Sequence, residues 1–409
     1  MVTTTLVKQQ HTFSIKEPVA GAINNSVKKS LRVGSIEKYI VRMLIKMRLL
    51  YLAFVIIKNP RKVLATFKSL IALRNNVQGG TLKKMYKIDG KYYAAQYRPG
   101  WPSKIYDNFI KSELRRVVFP HQVTQKLSFI FFAVTSKCPL RCEHCFEWDN
   151  LNLKESFTKE ELFKVVDMYQ KEGVQQFHFS GGEPMVRIKD LLPLINYASK
   201  KSECWVLTSG FNFTNENAKL LKHHGGTGAV VSIDHYIPEL HNIFRGNSEA
   251  FDTALNAVAA CRNAGLVSSI SVCATKQFID GGHLLPYMHF AKQLGVQFVQ
   301  VLEPRSVGHY AGKDVILDEK HIVELEQIFK MINHSKAYKN FPIMMYHGYH
   351  QRRVGCFSGS RSLYIDSAGD VHACPFCHTK SYNIIDLIRS QEKKLPVKEN
   401  KCPQFETVA

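Results

Sequence analysis

Cys138, Cys142 and Cys145 lie on one short stretch, Cys138-Pro139-Leu140-Arg141-Cys142-Glu143-His144-Cys145-Phe146, with the spacing C-x3-C-x2-C. Three thiolates on a tight loop can ligate three irons of a cubane and leave the fourth iron open to an exogenous donor. A zinc site of the same three cysteines completed by His144 uses the same residues, and structural zinc takes four protein ligands. Further on comes Ser180-Gly181-Gly182-Glu183-Pro184. Two glycines let a ligand approach the backbone closely, and Glu183 offers a fixed acceptor for an ammonium group. A Gly-Gly-Glu alone is most often a turn, and this one gains weight from standing one strand after the cysteine loop.

A second group comprises Cys356, Cys374, Cys377 and Cys402. Four cysteines, two of them as Cys374-x2-Cys377, suit one closed metal site, and both zinc and an iron–sulfur cluster are allowed. Asp366 to Gly369 reads as a hairpin turn that sets Cys374 at the end of the returning strand. Cys204, Cys261 and Cys273 are isolated. The first 40 residues are polar, with no apolar leader run. Clustered cysteines in that setting read as metal ligands in a reducing compartment, so a cytoplasmic location is expected.

These loops need a scaffold. Strand-like runs fall at 128–134, 176–179, 204–208, 229–233, 268–274 and 297–302, with helix-like stretches at 158–171, 188–200, 215–224, 249–264 and 283–293. Strands alternating with helices predict an α/β fold with parallel strands and right-handed crossovers, closed or partly closed as a barrel. In such a fold the loops at the C-terminal strand ends carry the chemistry, and both motifs fall there. A helix at 317–334 and a strand near 341–347 follow.

Cys138-x3-Cys142-x2-Cys145-Phe146 together with Gly181-Gly182-Glu183-Pro184 resembles the radical S-adenosylmethionine (SAM) superfamily over about residues 128–310. The resemblance implies a partial (β/α)6 TIM-like barrel with a 4Fe–4S cluster on the three cysteines. It also implies that SAM chelates the open iron, with Glu183 and its loop holding the amino group. The reduced cluster then cleaves SAM to methionine and a 5′-deoxyadenosyl radical, which abstracts hydrogen from substrate. Leu207-Thr208-Ser209-Gly210 stands where relatives often have Thr-Asn-Gly, so Ser209 departs from the pattern at a cofactor-contacting position. Val231-Ser232-Ile233-Asp234, with Arg245-Gly246 downstream, is similar to the relatives' fourth-strand segment. There Ser232 would hold SAM through its ribose or carboxylate, and Asp234 would face the substrate or cap a helix. Cys273 reads as packing. Glu303 reads as a substrate contact or a partner of Arg305. The segment Cys356-x12-Gly369-x4-Cys374 resembles the SPASM and Twitch auxiliary-cluster domains, which implies an auxiliary 4Fe–4S cluster on Cys356, Cys374, Cys377 and Cys402.

The chain has 409 residues and a formal charge of +21. Residues 1–125 hold 23 Lys and Arg against 5 Asp and Glu, whereas residues 126–409 hold 32 against 29. The basic character therefore belongs to the N-terminal region, a field that favours an anionic partner. An acidic electron donor such as a flavodoxin or ferredoxin, a membrane surface and an acidic substrate all fit. No nucleic-acid module is recognisable, so nucleic acid is not favoured. The nine apolar residues 49–57 are too few to cross a bilayer, but with Arg42, Lys46, Arg48, Lys58, Arg61 and Lys62 they suit a helix in a membrane interface at its inner face, or a core-packing helix. Residues 61–75 read as helix, 76–80 as its break and Asp89-Gly90 as a hairpin turn. The expected organisation is a basic N-terminal extension (1–125), a radical SAM core (126–312) and a linker helix with an auxiliary-cluster domain (313–409). The expected activity is radical SAM oxidation or modification of a peptide, protein side chain or lipid-linked molecule. A non-catalytic iron–sulfur or other metal-binding protein is the alternative.

Overall fold

The computed structural model describes residues 31–119, 127–377, 379–392 and 395. Cys402 and residues 1–30 lie outside the described residues, and so does the part each was expected to play.

The N-terminal region is β1 (Leu31–Arg32), α1 (Ser35–Ile57), α2 (Pro60–Gln78), β2 (Tyr86–Ile88), β3 (Lys91–Tyr93) and α3 (Lys104–Val118). Helix α1 begins well before the apolar run that announced it. Pro60 starts α2, as its missing N–H suits a first helical turn, and Asn59 caps it by accepting from Lys62 N at 3.2 Å. The helix runs on through Asn76 and stops at Gly79, whose φ of 68° closes it. Leu49, Leu52 and Ala53 of α1, Val63 of α2 and Leu114 of α3 bury one another.

The barrel follows as β4 (Phe129–Ala133), α4 (Lys159–Lys171), β5 (Gln176–Ser180), α5 (Ile188–Ala198), β6 (Glu203–Thr208), α6 (Asn215–His223), β7 (Gly226–Ser232), α7 (Pro238–Arg245), α8 (Ala250–Asn263), β8 (Val267–Cys273), α9 (Lys276–Asp280), α10 (Leu284–Leu294) and β9 (Phe298–Leu302). Six adjacent parallel strands, β4 to β9, make the expected partial (β/α)6 barrel. The last part comprises α11 (Glu319–His334), β10 (Ile343–Tyr346), α12 (His347–Val354), β11 (Ser362–Ile365), β12 (Asp370–His372), β13 (Tyr382–Asn383) and α13 (Ile384–Arg389). Hydrogen bonding does not stop at residue 312. Strand β10 adds in parallel to β9, and β11 adds in parallel to β4, carrying the antiparallel β12 and β13. The sheet thus has ten strands in the order β10-β9-β8-β7-β6-β5-β4-β11-β12-β13.

Alternation along each strand divides the side chains between two layers. Ile130, Phe132, Phe177, Phe179, Val206 and Val299 face the surrounding helices and join the main core. Their neighbours face the barrel interior, where the N-terminal hairpin enters. Leu82, Tyr86 and Tyr93 pack on Trp205, Val230, Phe298 and Ile343. Glu203 clamps this plug from below, accepting from Gly100 N at 2.8 Å and from Gln176 Nε2 at 3.1 Å. Residues 82–101 are therefore an inner layer of the barrel.

Candidate active site

A cavity of about 830 Å³ opens between the C-terminal ends of the strands and the N-terminal helices. Cys138, Cys142 and Cys145 line it, and so do Phe146, Gly181, Gly182, Ser209, Ser232 and Asp234. Every residue expected at the cofactor except Glu183 therefore reaches one space.

The two motifs hold each other. Gly182 N donates to Thr135 O and Glu183 N to Lys137 O, each at 2.8 Å, so the Gly-Gly-Glu turn pairs with the backbone that leads into Cys138. A side chain at Gly182 would place its Cβ 2.4 Å from Lys137 O, and one at Gly181, where φ is +131°, 2.3 Å from Thr135 O. Both glycines are demanded by this close approach. Asn152 completes the loop, accepting from Cys138 N and donating to Cys138 O.

Glu183 is bonded within the chain. It is buried, and Oε1 accepts from Thr208 Oγ1 at 2.8 Å and Met185 N at 3.1 Å, while Oε2 accepts from Ser209 N at 2.7 Å and Ser209 Oγ at 2.6 Å. A carboxylate has about four acceptor positions, and all are occupied within the chain. Glu183 braces the end of β6 and presents Ser209. Burial pushes its carboxyl above the usual range, partly offset by these donors.

Asp234 lies past the end of β7 and is neither a helix cap nor open to the cavity alone. Its Oδ2 accepts from Arg245 Nε at 2.6 Å, and its Oδ1 from Cys273 N at 2.9 Å. Arg245, at the end of α7, in turn places Nη1 3.5 Å from Cys142 Sγ. Burial disfavours this guanidinium's charge, but Asp234 and Cys142 outweigh it and hold it charged. A fixed cation against one cysteine sulfur was not foreseen; the Asp234–x10–Arg245 spacing was visible, but nothing in it announced the contact.

Ser232 faces Ser271 at 3.4 Å between hydroxyl oxygens. Glu303 is bound by Arg305 at 3.2 Å, by Arg352 at 2.8 Å and by Tyr346 Oη at 2.6 Å, the ion-pair alternative extended by residues from the next strand and helix. Phe146 packs edge-on against Tyr364 and Phe376, tying the first cysteine loop to the C-terminal region.

Cys356, Cys374 and Cys377 gather with Ala373 in a small cluster at the same cavity. Among the described residues, no three His, Cys, Asp or Glu side chains close on a single-ion centre. Zinc bonded at about 2.3 Å would draw its sulfurs to within about 4 Å of one another. His144 lines the same cavity with its ring stacked on Phe244 at 4.8 Å. Three thiols that line one cavity wall fit a cubane that takes three cysteines and leaves one iron open. Burial raises Cys138 and Cys145 to about 12, so taking up iron must release protons from this loop.

A sequence profile described as the Radical SAM superfamily matches residues 132–284. An Fe-coproporphyrin III synthase from Methanosarcina barkeri is 33% identical over 154 residues, which are 37% of this chain and 38% of that protein. An AdoMet-dependent heme synthase from the same organism is 25% identical over 284 residues, covering 64% of this chain and 80% of the relative. The chain thus spans well under half the length of the first of these relatives. Among solved structures, Streptococcus suis SuiB bound to precursor peptide SuiA superposes with a TM-score of 0.54 at 14% identity, covering 83% of this chain and 80% of that one. That likeness concerns the fold.

Proposed function

Since its central domain belongs to the radical SAM superfamily, we propose that this chain is an enzyme that modifies or oxidises a substrate held in the cavity between the cysteine loop and the N-terminal helices. Its cofactors are those of the superfamily, a 4Fe–4S cluster and SAM. Bound there, they supply reductive cleavage to a 5′-deoxyadenosyl radical and hydrogen abstraction. The observation that carries the reading is the convergence of Cys138, Cys142, Cys145, Gly181 and Gly182 on one cavity that extends to the N-terminal helices.

In this reading the three cysteines ligate the cluster and Arg245, set by Asp234, lies against the Cys142 sulfur. The glycine backbone together with Ser209 and Ser232 receives SAM, and Glu183 keeps Ser209 in place. Cys356, Cys374 and Cys377, completed by Cys402, hold an auxiliary cluster. The curated relatives that match carry names referring to porphyrin, heme and GTP chemistry; a peptide, a protein side chain or a lipid-linked molecule remains the substrate class proposed from the sequence.

A membrane surface is the partner the N-terminal region favours. Ile36, Tyr39, Met43, Met47, Tyr51 and Phe54 form an exposed apolar stripe at helical spacing along α1, opposite the face that packs inward. Lys46, Arg48, Lys58, Arg61 and Lys62 flank it, the make-up of a helix that lies in an anionic interface. No described helix is long and apolar enough to cross a membrane. An acidic electron donor fits the same basic region.

Anaerobically reconstituted protein given SAM and dithionite should release 5′-deoxyadenosine, with iron content matching two cubanes, halved by Cys374→Ala. No release from protein with a full cluster signal would sink the reading. Co-sedimentation with anionic vesicles should be lost in a Met47→Ser/Phe54→Ser variant; equal sedimentation of both proteins would remove the membrane part.

A further inference from the structure

The end of the cavity away from the cysteines is apolar, walled by Ile45 and Leu49 of α1, Phe67 and Leu70 of α2, and Phe109 and Ile110 of α3. Set in this wall are three guanidinium groups: Arg42 of α1, Arg74 of α2, and Arg98 from the loop that follows β3. Arg42 donates to Leu82 O, and Arg74 Nη2 donates to Asn75 Oδ1 at 3.0 Å. Arg74 Nε is buried with no partner. Burial, and then the neighbouring arginines, pull Arg42 and Arg74 below the usual arginine range.

Among the described residues, no carboxylate answers them. Glu113 lines the same cavity but is held by Arg116 at 3.2 Å and by Arg361. Asp107, on the same helix, is held by Arg48 at 2.5 Å. Half-buried like charges repel each other and lose hydration, and a bound anion relieves both costs. Guanidinium forks match the oxygens of a carboxylate or phosphate. Tyr106 also lines this wall and adds a hydroxyl.

We propose that Arg42, Arg74 and Arg98 anchor the anionic head, a carboxylate or phosphate, of an amphiphilic ligand whose apolar body lies along the cavity toward the cysteine loop. The chemistry is that of a charged head on a hydrocarbon or ring body, so the apolar wall and the cations are used by one molecule. The ligand's role as substrate rests on the proposed function; its binding does not.

The test uses the holoenzyme and titration calorimetry with decyl phosphate, decanol and inorganic phosphate. Charge-assisted hydrogen bonds should make decyl phosphate bind about ten- to a hundred-fold tighter than decanol, and the chain should make it tighter than inorganic phosphate. Arg74→Gln and Arg98→Gln should each weaken decyl phosphate about ten-fold and leave decanol unchanged. The ligand-free variants should melt no lower than the parent, because each removes a repelling charge. Equal binding of decyl phosphate and decanol, equal binding of decyl and inorganic phosphate, variants that bind like the parent, or a lowered ligand-free melting temperature would each overturn the proposal. 5′-Deoxyadenosine release by the parent is read in parallel. Release without head-group preference defeats this inference alone, and head-group preference without release defeats the proposed function alone.

Discussion

At the cysteine end of the cavity the polar side chains are knitted into one another, while at the end under the N-terminal helices the charged ones face each other. Glu183 uses both oxygens on β6 and its own turn, and Asp234 divides its oxygens between Arg245 and the backbone of Cys273. Such groups are positioned before any ligand arrives, as chemistry that must not wander requires. Arg42, Arg74 and Arg98 lack that closure among the described residues, which is a property of a surface completed by what it binds. The difference separates a preorganised end built from the barrel strands from an open-ended wall built from the N-terminal extension. Under the proposed function, substrate choice and radical chemistry would therefore sit on different parts of the chain.

That contrast can be broken most directly at the cysteines. Cys142→Ala should leave too few ligands for a site-differentiated cubane, with 5′-deoxyadenosine below detection and decyl phosphate binding kept. A smaller loss is expected from Asp234→Asn, which leaves Arg245 buried without its counter-charge. Stability should fall by about 3–5 kcal/mol in denaturant titration, and cluster retention against a chelator by about 10- to 100-fold, the usual effect of removing an outer contact to a metal ligand. Gly182→Ala forces its Cβ onto Lys137 O at 2.4 Å. We expect a loss of about 1–3 kcal/mol and a shifted cluster spectrum, because the strain falls on the backbone entering Cys138. A normal spectrum would show that the two motifs are not coupled.

The smallest effect concerns how the N-terminal layer is fastened to the barrel. Lys84 is 4% exposed and donates to Pro342 O at 3.0 Å, and burial, followed by Arg32, lowers it from 10.5 to about 7. Between those values the unfolded chain holds a proton that the folded chain has lost, so this group's penalty on folding is full below about pH 7 and fades as pH rises toward 10.5. A Lys84→Met variant should melt higher than the parent below about pH 7, and that advantage should shrink steadily toward about pH 10.5. An advantage independent of pH would assign the effect to packing. Decyl phosphate affinity should not change, as Lys84 does not line the cavity.

Much of the barrel was legible because each strand is a short apolar run bounded by a helix with its own pattern. The run expected at 268–274 is Val267–Cys273, and the helix expected at 249–264 is Ala250–Asn263. Helix α7 escaped notice because its eight residues are too few for a periodic signal, yet it delivers Arg245. Helix α12 starts at the last residue of a run read as strand, and its polar sequence HGYHQRRV gave no apolar face to detect. The N-terminal extension was read as an appendage because its basic surface dominated its composition, while the residues that enter the barrel, such as Tyr86, Tyr93 and Tyr97, are scattered among polar neighbours.

From the sequence alone came the cysteine loop, the glycine turn and the six-strand alternation, since each rests on residues close together in the chain and on local stereochemistry. Which groups meet across the chain was decided only in three dimensions. The carboxylate of Glu183 goes to Ser209, the guanidinium of Arg245 to Cys142, and three arginines from separate segments share one apolar wall. Strand register and helix packing set those distances, and a side chain's charge finds its partner only after burial has removed water as the alternative.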